Sequence, residues 1–246
     1  MLKVDDVTFR YSSRMEPATD RLSFQVGGGT VCGLLGPNGA GKTTAIQLIL
    51  GLLKPEHGTI KLHELSLRDD PQAYKSAIGY VSGSHRIYDG LTGREYLNFM
   101  ADMYGVSAAR RSEVYGALTE QFQLQPHLHK PIGSCSYGTQ QKFFIMGSIV
   151  HSPQLWILDE PLTGLDVESA FVLKQLMKEH AEQGHIVLMS SHIMEICEQL
   201  CDMALIIKQG KILHTAFLDE QEQQGDQTLE ELYLEVIRQR GHASDP

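Results

Sequence analysis

The stretch "GLLGPNGAGKTT", residues 33–44, decides how the rest of the chain is read. Within it, Gly36-x-x-x-x-Gly41-Lys42-Thr43 has the spacing of a phosphate-binding loop. The apolar run "TVCGLL" (30–35) precedes it and suits a buried parallel strand. "TTAIQLILGLLKP" follows, and predicts a helix stopped by Pro55. Strand, glycine loop and helix in that order are the context the motif needs. Gly36, Gly39 and Gly41 let the backbone turn its N–H groups inward around phosphate oxygens, while Pro37, Asn38 and Ala40 complete the loop. Lys42 is placed to reach the β- and γ-phosphates, the Thr43 hydroxyl to ligate Mg²⁺, and Thr44 to add a phosphate contact. The expected ligand is a nucleoside triphosphate.

A second apolar strand, in "PQLWILDEP" (153–161), ends in two acids. Asp159 at its carboxyl end is expected to hold Mg²⁺, since ligands gather at that end of open parallel sheets. Glu160 then stands where a carboxylate can orient and partly deprotonate an attacking water. "IVLMSSHIMEICEQLCDMALII" (186–207) reads as another strand, then Ser190-Ser191-His192, then a helical pattern. His192 again falls at a strand's carboxyl end, within reach of a γ-phosphate or of the Glu160 water.

Together these segments resemble the nucleotide-binding subunit of an ABC transporter, from about residue 2 to residue 218. The resemblance implies an α/β P-loop NTPase with a RecA-like core built on a parallel sheet. It also implies an N-terminal antiparallel β subdomain and an inserted helical subdomain at about 85–152. Tyr11 stands where such proteins stack an aromatic ring on adenine, 155–160 matches the Walker B strand, "LTGLD" (162–166) looks like the D-loop, and His192 looks like the switch histidine. "CSYGTQQ" (135–141) occupies the slot of the family's "LSGGQ"-type signature. Ser136 and Gly138 coincide with the signature serine and second glycine, which face the γ-phosphate held by the opposite subunit. The implied cofactors are ATP and Mg²⁺. The implied partners are a second copy of the chain, or a relative, and a separate transmembrane permease. The expected location is cytoplasmic, on the inner membrane face through that permease.

Departures from the family pattern carry their own expectations. Cys135, Tyr137 and Thr139 differ from the signature consensus, yet a hydroxyl, a close-approach glycine and a following helix N-terminus survive. The loop therefore reads as functional but degenerate. Gly83 replaces the glutamine or glutamate expected there, which puts coupling and turnover rate in question, with Ser82, Ser84 or His85 as substitutes. The signature, "YDGLTGREYL" and the tail look more like ABC-2-type exporters than like nutrient importers.

Composition narrows the alternatives. The chain has 246 residues, 42% of them hydrophobic, with 21 basic against 30 acidic side chains. A net charge of −9 argues against a nucleic-acid binder working through bulk charge. Cys32, Cys135, Cys197 and Cys201 form no CxxC pair, so reduced thiols are expected. Cys197 and Cys201 could be imagined with His192 around a metal, but the stretch reads better as a helix with buried cysteines. "MLKVDDVTFRY" has no signal-peptide core, and "AIQLILGLL" is too short to span a bilayer. Residues 219–246 are expected to be a polar tail with one amphipathic helix, opened by Thr228 and Glu231 and striped by Leu229, Leu232, Tyr233, Val236 and Ile237. A G protein is disfavoured by the missing "NKxD" motif, and a translation or repair ATPase by the single cassette. A regulator that binds ATP without hydrolysing it stays open.

Overall fold

The computed structural model describes residues 1–82, 88–218 and 228–239. The chain opens with β1 (Leu2–Phe9), β2 (Thr19–Val26) and β3 (Thr30–Leu35), followed by α1 (Lys42–Ile49). β4 (His57–Leu62), β5 (Leu65–Ser66), α2 (Pro71–Ser76) and β6 (Ile78–Val81) come next. Three helices follow, α3 (Gly93–Met103), α4 (Ala108–Gln121) and α5 (Tyr137–Ile149). The chain then alternates through β7 (Leu155–Asp159), α6 (Val167–Glu182), β8 (Ile186–Ser191) and α7 (Met194–Leu200). It closes with the hairpin β9 (Met203–Lys208) and β10 (Lys211–Phe217) and with α8 (Leu229–Gln239).

Two sheets result. A four-stranded antiparallel sheet has the order β2-β1-β4-β5, and a six-stranded sheet the order β10-β9-β3-β8-β7-β6. In the larger sheet every neighbouring pair is parallel except the β9–β10 edge. This is the expected α/β P-loop architecture, with one antiparallel edge strand added.

The apolar runs at 30–35, 155–159 and 186–191 are continuous because both sheet faces are covered. Successive side chains alternate between two cores. Leu155, Ile157, Ile186 and Leu188 join α1 and the small sheet on one face. Trp156, Leu158, Val187 and Met189 join α3, α4, α5 and α6 on the other. Each such side chain contributes about 1.5–3 kcal/mol by leaving water. The largest of them, Trp156, is fully buried and donates its indole N–H to Ser148 Oγ at 2.8 Å.

Two segments depart from expectation. α1 ends at Ile49, and Gly51 at φ 64° turns the chain before Pro55 is reached. Glycine takes that left-handed conformation without a Cβ penalty, so it stops the helix first. The helical pattern after His192 covers only α7, because the apolar residues from Met203 onward pair with β3 as strand β9. Cys197 and Cys201 are buried free thiols, with both sulfurs packed over Gly33.

α8 carries the expected capping box, with Thr228 Oγ1 accepting from Glu231 N–H at 3.2 Å and Glu231 Oε2 accepting from Thr228 N–H at 3.0 Å. It docks on α7 through the buried Leu229, whose N–H is also held by Glu198 Oε1 at 3.0 Å. Among the described residues no helix is long and apolar enough to cross a membrane.

Candidate functional site

Register brings the site together. Leu35 of β3 pairs with Ser191 of β8, and Asp159 of β7 pairs with Ser190. The carboxyl ends of three parallel strands therefore meet along one edge of the sheet. By the same alternation that sorts the core, Asp159 and Ser190 point to the face occupied by α1 and the loop before it.

That loop, Gly36–Gly41, swings from β3 into α1. Gly41 caps the helix at φ 104°, and a Cβ there would come within 2.8 Å of the Ala18 carbonyl oxygen. No side chain caps α1, so its first N–H groups face the loop and form an anion-attracting end. Lys42 is buried and folds back over the loop, donating to the carbonyls of Gly36 (2.5 Å) and Pro37 (3.3 Å). The cleft above has a volume of about 450 Å³. Tyr11, residues 37–44, Asp159 and Glu160 line it.

At the acidic end, Ser190 Oγ donates to Asp159 Oδ1 at 2.5 Å and accepts from the Glu160 N–H at 3.0 Å. Glu160 sits at φ 51°, a left-handed backbone unusual for a residue with a side chain. Its Oε2 lies 2.9 Å from His192 Nδ1, so the histidine reaches the cleft through the glutamate.

Tyr11 has a second occupation besides the expected adenine stacking. Its ring meets Phe9 edge-on at 5.1 Å between centroids, and its hydroxyl lies 3.1 Å from Thr44 Oγ1 and 3.4 Å from Gln47 Oε1. Tyr11 is still 59% exposed and lines the cleft.

Ser136 and Gly138 form a separate cluster. Ser136 is the N-cap of α5, accepting from Thr139 N–H at 3.3 Å and sharing a hydrogen bond with its hydroxyl at 2.9 Å. A Cβ on Gly138 would collide with the Gly164 carbonyl, and one on Gly164 with the Tyr137 ring. Gln141 donates to the Pro161 carbonyl at 3.3 Å, and Lys142 to Asp166 at 2.9 Å. The Lys142 ammonium, with the Ser169 N–H and hydroxyl, holds the Asp166 carboxyl well below the usual carboxylate range. Residues 137–142 and 161–166 are thus stitched together within one chain. Position 83 lies outside the described residues, as do 84 and 85.

The family described as ABC transporter matches residues 19–163. Over 246 residues the chain is 35% identical to the ABC-type transporter ATP-binding protein EcsA of Bacillus subtilis, covering 98% of this chain and 99% of that one. This protein belongs to the ABC transporter ATP-binding family. It is 32% identical, over 213 residues, to a fluoroquinolones export ATP-binding protein of Mycobacterium tuberculosis, covering 87% of this chain and 69% of that one. A solved ATP-binding subunit of an ABC transporter superposes with a TM-score of 0.90 at 32% identity, covering 96% of this chain and 99% of that one. As an ABC ATPase, the chain binds ATP and hydrolyses it.

In this ABC ATPase, Tyr11, residues 37–44, Asp159 and Glu160 share one cleft, with Gly36 joined to it through the Lys42 hydrogen bond and His192 through Glu160. Ser136 and Gly138 do not line it. Ser190 is the site residue that sequence reasoning passed over. In the sequence it shows only as a serine directly before Ser191 and His192 at the end of an apolar run; its pairing with Asp159 comes from the register of the folded sheet.

Proposed function

We propose that two copies of this chain, or one copy and a relative, clasp two Mg-ATP between them and drive a separate transmembrane permease in the direction of export. The observation that carries the reading is the Glu160–His192 pair, which stands beside Asp159 at the edge of the phosphate-loop cleft. Lys42 and the open N-terminus of α1 would hold the phosphates, and Tyr11 would stack on the base. Glu160 would take the proton of the attacking water, with His192 fixing the carboxylate's orientation. Thr43 and Asp159 are hard oxygen donors in the same cleft, and one carboxylate plus phosphate oxygens is a typical Mg²⁺ set. Bound there, Mg²⁺ would neutralise charge developing on the β- and γ-phosphate oxygens.

In the paired state Ser136 and the N-terminus of α5 would face the ATP held by the opposite copy. The stitching of 137–142 to 161–166 supports a trans surface that moves as one body. Closing on ATP and opening after hydrolysis would shift the permease between two states, since a ligand favours the state that binds it better. The relative named for fluoroquinolone export supports the direction. The protein would work at the inner membrane face, held there by the permease.

The deciding experiment is the solution mass of Glu160→Gln with and without Mg-ATP. A nucleotide-dependent dimer supports two shared ATP sites. A variant that binds ATP and stays monomeric sinks the homodimer and points to a different chain opposite it.

A further inference from the structure

Ser190 is fully buried at the carboxyl end of β8, where a serine has no solvent to satisfy its hydroxyl. Both of its hydrogen-bonding capacities are spent on the acidic pair of β7. The hydroxyl proton goes to Oδ1 of Asp159, a residue that lines the cleft. A lone pair of the same oxygen accepts the Glu160 N–H. That second bond falls at the residue whose backbone occupies the left-handed region, an unfavourable conformation that persists only where its surroundings hold it. One hydroxyl therefore sets the rotation of the Asp159 carboxylate and pins the backbone turn that aims the Glu160 side chain toward His192.

We propose that Ser190 is a positioning residue for ATP hydrolysis, tying the orientation of the cation-holding carboxylate to that of the water-orienting one. The inference rests on the reading of Asp159 and Glu160 given above. An alanine here removes the hydrogen-bond partner of the Glu160 N–H and of one Asp159 carboxylate oxygen, and both acids are freed to rotate. A threonine keeps the hydroxyl in a strand that favours β-branched residues.

The test uses the full chain with Ser190→Ala, Ser190→Thr and Ser190→Cys. ATPase kinetics are measured beside Mn²⁺ affinity, followed by electron paramagnetic resonance with a non-hydrolysable ATP analogue bound. In the alanine variant, kcat and Mn²⁺ affinity are each expected to fall by about tenfold to a hundredfold, the usual cost of removing a group that orients a metal ligand. KM for ATP should stay within about twofold, because the base and phosphate contacts are untouched. Threonine should restore most of both quantities. If alanine fails to fold, cysteine, a weak donor of similar shape, must show the same paired loss. Wild-type kcat and Mn²⁺ affinity in the alanine or cysteine variant would overturn the proposal, as would a change confined to unfolding temperature. Glu160→Gln serves as the control on the underlying reading. If it still hydrolyses ATP, the site assignment fails first and the Ser190 inference falls with it.

Discussion

His192 Nδ1 and Glu160 Oε2 lie 2.9 Å apart across the gap between the ends of β8 and β7. The contact joins residues from different strands at the lip of the phosphate cleft, and it gives Glu160 a fixed direction. Removing the imidazole should therefore cost turnover without costing binding. For His192→Ala, steady-state phosphate release should fall roughly a hundredfold, within the range of general acid–base contributions. Equilibrium ATP affinity should stay within about twofold. A parallel loss of affinity would show that His192 instead holds the nucleotide.

Tyr11 offers a different discrimination. Its hydroxyl is engaged with Thr44 and Gln47 while the residue is largely exposed. If stacking is the ring's main contribution, Tyr11→Phe keeps ATP affinity, and Tyr11→Ala loses about three- to tenfold, the worth of roughly one aromatic pair. If the hydroxyl latch on Thr44 matters more, the phenylalanine variant falls as far as alanine. Fluorescence titration with a labelled nucleotide separates the two.

Gly138 has a packing requirement independent of any partner. Its Cα faces the Gly164 carbonyl so closely that any Cβ must displace backbone. Gly138→Ala should destabilise the monomer by about 1–3 kcal/mol, the usual range for overpacking. That is a drop of several degrees in unfolding temperature for a chain of this size. An unchanged melting curve would mean that the 161–166 segment yields freely and that the two segments are not held as one.

Acid should weaken the fold in a window set by two histidines. Burial pushes His151 and His180 down to about 4. In the unfolded chain a histidine titrates at about 6.5. Between these values the unfolded state takes up protons that the native state refuses, so stability is full above pH 6.5 and drains away as pH falls toward 4. Each histidine contributes roughly 2–3 kcal/mol to that loss. Urea midpoints at pH 7.5 and 5.0 measure it. The double change His151→Gln and His180→Gln should flatten the difference.

The parts of the molecule visible in the sequence are those where one residue type answers one local demand. "TVCGLL" became β3 with the expected bounds, and "GPNGAG" became the loop, because strand burial and phosphate wrapping each have a distinctive composition. The acids Asp159 and Glu160 stand out for the same reason, and the fold places both on the cleft. Ser190 was not, since a serine closing an apolar run looks like any strand end until the register of β7 on β8 is known. The early end of α1 turned on Gly51 outranking Pro55, a competition between two breakers that spacing alone does not resolve. The split of 194–207 into helix and strand was likewise a matter of what lies beside it, because β9 exists to flank β3.

That flanking has a consequence for how the protein comes into being. β3, which launches the phosphate loop, hydrogen-bonds to β8 and β9 and to no strand made earlier. A nascent chain whose loop has already left the ribosome still lacks both neighbours of the strand beneath it. Pairings between such distant segments form late and slowly. The growing amino-terminal half therefore carries the phosphate loop without the two strands that flank β3 and without the acids at the end of β7. ATP, which stabilises the state that binds it, should add most to stability once everything through β9 is in place.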